Sequence, residues 1–243
     1  MEHGPTAELT AAEGSMNDLS KARFIRRRLE LTPVAGLPAM HLYKASRSSG
    51  LGRHLAHRAD AGPPYWAYCW AGGLALARHF AANPGTVAGR DVLDLGSGGG
   101  VVAIAAAMAG ARNVVAVETD PFGRVALALN AEANGVALTI GGEDLLDGQA
   151  PTTDVVTVGD LCYDAALASR VTAFLDRCAL AGIVVLLGDP GRRYLPLHRL
   201  TKIAEYDVAD FALSEATVTS ATVFRFGMRD PVAAASGLAD LGS

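Results

Sequence analysis

Cysteine is scarce in this chain. Among 243 residues there are three, Cys69, Cys162 and Cys178, an odd number with no C-x-x-C pair. This excludes a disulfide framework and a zinc knuckle and fits a reducing compartment, the cytoplasm. Long hydrophobic runs are missing too. The most apolar stretch, 101–111, falls short of the roughly 18 residues a membrane span needs and reads as a helix buried on most sides. The amino terminus lacks a basic head followed by an apolar run, so no secretory signal is expected; Arg26, Arg27 and Arg28 come too late and are followed by Glu30. Neither charge sign is in excess. Lys plus Arg number 21 against 25 for Asp plus Glu, a net −4, which argues for no nucleic-acid and no membrane partner. The six histidines make no metal set: His54 and His57 stand three apart without a carboxylate or cysteine at ligand spacing, so no metal is expected.

What is present is apolar residue: 50% hydrophobic against 19% charged, enough for one large α/β domain with a filled core and too little chain for two. Residues 1–20 and 230–243 lack apolar periodicity and are expected to be mobile ends around a single domain at 21–229. Within it, 21–89 reads as an N-terminal extension or lid, with a basic helix, a short strand LTPV (31–34) and a Gly-, Ser- and His-containing stretch. From residue 90 the pattern regularises. DVLDL (91–95), NVVAVE (113–118), VALTI (136–140), DVVTVG (154–159) and IVVLLG (183–188) are predicted strands separated by Ala- and Leu-rich helices. Continuous apolar strands of this kind belong to a parallel sheet covered on both faces. EYDVADFAL (205–213) and TVTSATVFRF (217–226) have no helix between them and predict a closing hairpin. The expected architecture is a mostly parallel, Rossmann-like sheet of seven strands with a C-terminal antiparallel hairpin.

DLGSGGG (94–100) follows the first of these strands and opens a helix, at the carboxyl edge where doubly wound sheets bind ligands. A dinucleotide loop requires G-x-G-x-x-G; here Gly96 and Gly98 are followed by Val101, and Asp94 would meet a pyrophosphate with negative charge. Both departures favour a ligand with a cationic end. S-adenosylmethionine, with its α-amino group and sulfonium and no phosphate, fits. Asp94, Gly96, Ser97 and Gly98 would hold it, with Glu118 on the ribose hydroxyls and Thr119 beside it. Asp144, after the third strand, either reaches the adenine amino group or caps a helix.

PPYWAYCWAGG (63–73) precedes a helix predicted from about Gly72. Trp66 and Trp70, at spacing four, either share a helical face as core or wall the cofactor and a substrate cation. GDLCYD (159–164) ends the fourth strand. Its Asp160 would hold and aim an amine, with Tyr163 as an aromatic wall; the structural alternative is that Asp160 caps the helix after Asp164. GDPGRRYLP (188–196) ends the fifth strand, where Asp189 either holds Arg192, lines the substrate mouth or makes a turn.

The set PYWAYCWAGG, DLGSGGG, VETDP, GDLCYD and GDPGR resembles the seven-strand, class I protein lysine methyltransferases, and among them the electron transfer flavoprotein beta-subunit lysine methyltransferases and their bacterial relatives. The resemblance implies a Rossmann-like fold, S-adenosylmethionine as cofactor and methylation of lysine on the flavoprotein's beta subunit. By position, it puts Asp94, Gly96, Gly98 and Glu118 on the cofactor, Trp70 beside it, and Asp160 with Tyr163 at the lysine. Two other readings stay open: a small-molecule N- or O-methyltransferase, and a cofactor-binding module without catalysis.

Overall fold

The computed structural model describes residues 7–46, 49–55, 63–209 and 218–227, the side chains of 7–17 and 54–55 excepted. The elements in chain order are α1 Ala7–Arg28, β1 Glu30–Val34, β2 Leu37–Lys44, α2 Leu51–Leu55, α3 Ala71–Ala82, β3 Asp91–Leu95, α4 Val101–Met108, β4 Asn113–Val117, α5 Pro121–Ala133, β5 Thr139–Gly141, β6 Val155–Gly159, α6 Ala165–Leu180, β7 Val184–Asp189, β8 Leu200–Ala209 and β9 Val218–Phe226. Seven strands form one sheet in the order β5-β4-β3-β6-β7-β9-β8. β3 to β7 pair in parallel, and β9 runs antiparallel to both β7 and β8. The chain therefore leaves β3 first toward β4 and later, through β6, to its other side, which opens a crevice at the carboxyl end of β3.

Period-two alternation divides the core. Val92 and Val155 face the layer of α3 and α4, whereas Leu93, Leu95, Val156 and Val158 face α6. Phe80 and Phe174, fully buried on opposite sides, each contribute about 2–3 kcal/mol of apolar burial. By the same alternation Asp94 and Thr157 share the α3/α4 face, where nothing else along these strands is polar.

α1 begins at Ala7, inside the stretch whose composition assigns it to a mobile end. Its Ile25, and Leu29 just past its end, pack with Phe122 and Ala126 of α5, and Arg26 pairs with Glu132 at 3.1 Å. The extension holds a strand absent from the sequence reading: β2 pairs antiparallel with β1 across Gly36, whose φ of +77° makes the turn. Asn130 of α5 and Asn134, the residue that ends it, fasten β2 to the core. Asn130 Oδ1 accepts from the Tyr43 N–H at 2.7 Å and Asn134 Oδ1 from the His41 N–H at 2.9 Å. The amide of Asn130 also donates to the Gly99 carbonyl at 2.8 Å, tying this hairpin to the glycine loop.

Two strand starts differ from expectation by three residues or more. β5 starts at Thr139 in place of 136, because Gly135 at φ +64° turns the end of α5 and the Val136 N–H is spent on the Ala131 carbonyl. β8 starts at Leu200, five residues early, where Leu200 is buried opposite Phe226. The remainder of the expected arm, 210–213, lies outside the described residues, as does the tail from 230.

Candidate functional site

A cavity of about 630 Å³ opens at the carboxyl ends of β3, β4 and β6. Its floor is the loop after β3. Gly96 at φ +67° and Gly98 at φ +54° adopt left-handed backbone that side chains resist, and so bring the main chain to the cavity wall. Glu118, after β4, fixes that loop: its Oε2 accepts from the Gly98 N–H at 2.8 Å and its Oε1 from the Asp120 N–H at 2.7 Å. Burial nevertheless raises its pKa, with those two N–H groups opposing. Each oxygen retains a free acceptor direction toward the cavity, which suits a pair of ligand hydroxyls.

Asp94 stands elsewhere than expected. It does not line the large cavity but a smaller adjoining one of about 50 Å³ behind the loop, together with Ser97. Only 1% exposed, it accepts the Thr157 hydroxyl at 2.7 Å through Oδ1, while Oδ2 has no partner. Burial pushes its pKa up to about 6, against the pull of Thr157. The Ser97 hydroxyl is spent on the Asp94 carbonyl at 2.9 Å. A buried carboxylate with one oxygen unpartnered, beside a glycine cradle and with Glu118 across the loop, fits a ligand bearing a cationic end and vicinal hydroxyls.

The opposite wall explains both Gly-Asp steps. In parallel register Gly159 pairs with Gly188, and the amino terminus of α3 lies directly on them. A Cβ on Gly72 would stand 2.0 Å from the Gly188 carbonyl oxygen, and one on Gly159 would stand 3.0 Å from the Gly73 Cα. Trp70, the residue before α3, offers no side-chain cap. Asp160 supplies it from β6: its Oδ2 accepts from the Gly73 N–H at 2.8 Å. Asp160 therefore caps α3 and not the following helix, which Asp164 caps through the Ala166 and Leu167 N–H groups at 3.0 Å. At φ +59° Asp160 is the one described non-glycine residue with positive φ. Its Oδ1 accepts from Arg192 Nη2 at 2.8 Å and Nε at 3.3 Å. Burial pushes its pKa up to about 6, the Arg192 charge opposing most strongly.

Aromatic side chains close the cavity mouth. The Tyr65 ring lies 5.9 Å from Trp70 and 5.6 Å from Tyr163, and the Trp70 indole N–H donates to the Tyr65 carbonyl at 2.9 Å. The two tryptophans do not share a helical face. Trp66 sits in a single 3-10 turn, Tyr65–Ala67, and stacks on Phe122 in the core while still reaching the cavity; Trp70 is the half-exposed wall residue.

The cavity thus gathers Trp66, Trp70, Gly96, Gly98, Glu118, Thr119, Asp144, Asp160 and Tyr163 of the residues singled out in the sequence, and omits Asp94, Ser97 and Asp189. No helix follows Asp144: it accepts the Leu146 N–H at 3.0 Å within a turn and pairs with Arg170 at 2.9 Å. Asp189, 2% exposed, lies behind the wall. It makes the turn, accepting the Gly191 and Arg192 N–H groups at 2.7 and 2.6 Å, and does not touch the Arg192 guanidinium. Arg192 itself, a cavity residue bonded to Asp160, is what sequence reading missed as a site residue; its only signal was its place after the fifth strand. Among the described residues no cluster of His, Cys, Asp and Glu could hold a metal, and no helix is long and apolar enough to cross a membrane. His57 and the His54 side chain lie outside the described residues.

The family described as ribosomal protein L11 methyltransferase (PrmA) matches residues 82–161, from α3 through the glycine loop to Leu161. Electron transfer flavoprotein beta subunit lysine methyltransferase of Rattus norvegicus is 37% identical over 210 residues, covering 84% of this chain and 81% of the relative. The protein of the same name from Xenopus laevis is 36% identical over 210 residues, 84% of this chain and 85% of the relative. That from Homo sapiens is 39% identical over 179 residues, 70% and 68% respectively.

Proposed function

Because the chain belongs to the electron transfer flavoprotein beta subunit lysine methyltransferase family, we propose that it transfers methyl groups from S-adenosylmethionine to lysine side chains of that beta subunit. When bound, the cofactor supplies an electrophilic methyl group on a sulfonium. Glu118, Thr119 and the Gly96 to Gly98 backbone, which line the large cavity, would hold its ribose, Asp144 would serve its adenine, and Asp94, in the smaller adjoining cavity, would offset its cationic end. Trp70, also on the cavity wall, would flank the reacting end.

The observation that carries the reading is the Asp160 carboxylate in the wall of a cavity also lined by Trp70, Tyr65 and Tyr163. A lysine entering between aromatic faces loses solvation, which favours its neutral form. Asp160 then accepts one amine N–H and turns the lone pair toward the methyl group for in-line attack. An amine so aimed would take the methyl group, its carbon–sulfur bond giving way as the carbon–nitrogen bond forms, and the surplus amine proton would leave to solvent. The reading includes a cytoplasmic location, which the three buried, free cysteines support.

The test is incubation of purified protein with methyl-labelled S-adenosylmethionine and purified electron transfer flavoprotein, followed by peptide mapping. Label on beta-subunit lysines is expected. If the flavoprotein stays unlabelled, label confined to the small molecules of a lysate supplied in its place would transfer the activity to a small-molecule acceptor, and cofactor binding without any turnover would leave a binding module.

A further inference from the structure

At φ +59° Asp160 is held in left-handed backbone that a residue with a Cβ resists. Three grips maintain it. Its own N–H donates to the Gly188 carbonyl at 3.1 Å, Oδ2 takes the Gly73 N–H, and Oδ1 takes two donors of Arg192. Arg192 is in turn fixed at both ends: its backbone N–H goes to Asp189, and its guanidinium carbon lies 5.7 Å from the centre of the Trp70 ring. An ionised carboxylate has about four acceptor directions. Three are occupied here, and the cavity is where the fourth can be met.

We infer that Arg192 is a positioning residue for the acceptor lysine, clamping Asp160 as an ionised, acceptor-only group with one direction left for the substrate amine. The inference rests on the reading of Asp160 as the lysine-facing carboxylate. Its chemical reason lies in the geometry of attack. An ionised Asp160 accepts an amine N–H and leaves the nitrogen lone pair free. A protonated Asp160 would donate its O–H to that same lone pair and turn it away from the methyl group. Burial favours the protonated form, so the chain needs a fixed cation there. The groups around Asp160 leave this to Arg192: Asp189 behind it repels, burial keeps Cys162 a neutral thiol and raises the Tyr163 phenol, and α3 contributes its terminal N–H groups with no acidic residue in its first turn.

The experiment compares wild type, Arg192→Met and Arg192→Lys in two readouts. The first is the carboxyl ¹³C titration of Asp160 in the chain alone, its resonance identified by its loss in Asp160→Asn. The second is kcat/KM against pH on purified beta subunit. Arg192→Met is expected to raise the Asp160 midpoint by at least about one unit, a tenfold shift in the ionised-to-protonated ratio, and to move the acid limb of kcat/KM alkaline by the same amount. Arg192→Lys restores the charge and brings both back toward wild type. An unmoved midpoint in Arg192→Met, or a kcat/KM lowered by one factor at every pH, overturns the inference. If the beta subunit accepts no methyl group, the proposed function fails while the carboxyl titration still decides the role of Arg192. Should Arg192→Met not fold, Arg192→Gln makes the same comparison.

Discussion

Asp94→Asn isolates the cost of a buried charge. The Asp94 carboxyl titrates near 6 in the folded chain against an ordinary 3.8, a difference worth about 3 kcal/mol. The folded state binds the proton more tightly than the unfolded state does. Stability is therefore complete below about pH 3.8 and is lost as pH rises through 6. Roughly half of the cost is present at pH 5 and nearly all by pH 7, so the penalty grows by about 1.4 kcal/mol across that interval. Asparagine keeps an acceptor for the Thr157 hydroxyl, and whatever its NH₂ costs at the unpartnered position does not titrate. Every other group is common to both proteins and cancels in the difference. Urea unfolding without cofactor, followed by the fluorescence of Trp66 and Trp70 at pH 5, 6 and 7, gives the gap directly. Relative to wild type, the variant's midpoint should gain about 0.5–1 M urea between pH 5 and pH 7. A gap that stays constant with pH would refute the reasoning, because Asp94 would then carry no burial-raised pKa. The same variant should bind S-adenosylmethionine more weakly, since the charge that destabilises the empty fold is the one a cationic ligand offsets.

Three substitutions separate the remaining roles. Asp160→Asn should lower methyl transfer at least about 100-fold through loss of amine alignment, with the cofactor Kd from calorimetry changed less than about threefold; an equal loss of cofactor affinity would move Asp160 to the cofactor side. Glu118→Ala removes the acceptor of the Gly98 and Asp120 N–H groups together with any ribose contact, and should weaken cofactor binding about 10- to 100-fold; unchanged affinity in the same titration would contradict its assignment. Gly72→Ala drives a methyl group into the Gly188 carbonyl, 2.0 Å away. Because both atoms belong to packed backbone, the melting temperature should fall by about 5 °C or more, whereas Gly52→Ala, with nothing within 4 Å, should leave it unchanged.

Strands buried on both faces are legible from sequence because burial on two sides removes polar residues from the whole run, as in 183–188. β2 is not legible in that way. Met40 and Leu42 are buried on one face while its backbone is held from the other chain direction by Asn130 and Asn134, some 90 residues on, and side chains that serve distant backbone leave no local period. Glu118 and Thr119 are legible for a different reason: they end a strand beside a glycine loop, and the carboxyl edge of a doubly wound sheet collects such residues whatever the loops do.

Asp160 and Arg192 mark the boundary between what sequence carries and what topology adds. Asp160 was visible as a carboxylate at a strand end, but its two plausible jobs, capping and catalysis, compete only if the cap is on its own helix. The structure gives the capping to α3, 87 positions earlier, and leaves one acceptor direction of the same carboxylate for the cavity, so the cap and the proposed lysine contact share one group. The partner is equally non-local. Arg192 lies 32 positions later, and reaches Asp160 because the parallel register sets Gly159 against Gly188 and the turn made by Asp189 folds the chain back over the strand end. Shifting that register by one residue would turn the Gly-Asp steps to the other face, removing the close approach to α3 and the Asp160–Arg192 pair at once. The glycines of both motifs are thus required by the packing of α3, and the chemistry of the aspartate that follows depends on that packing.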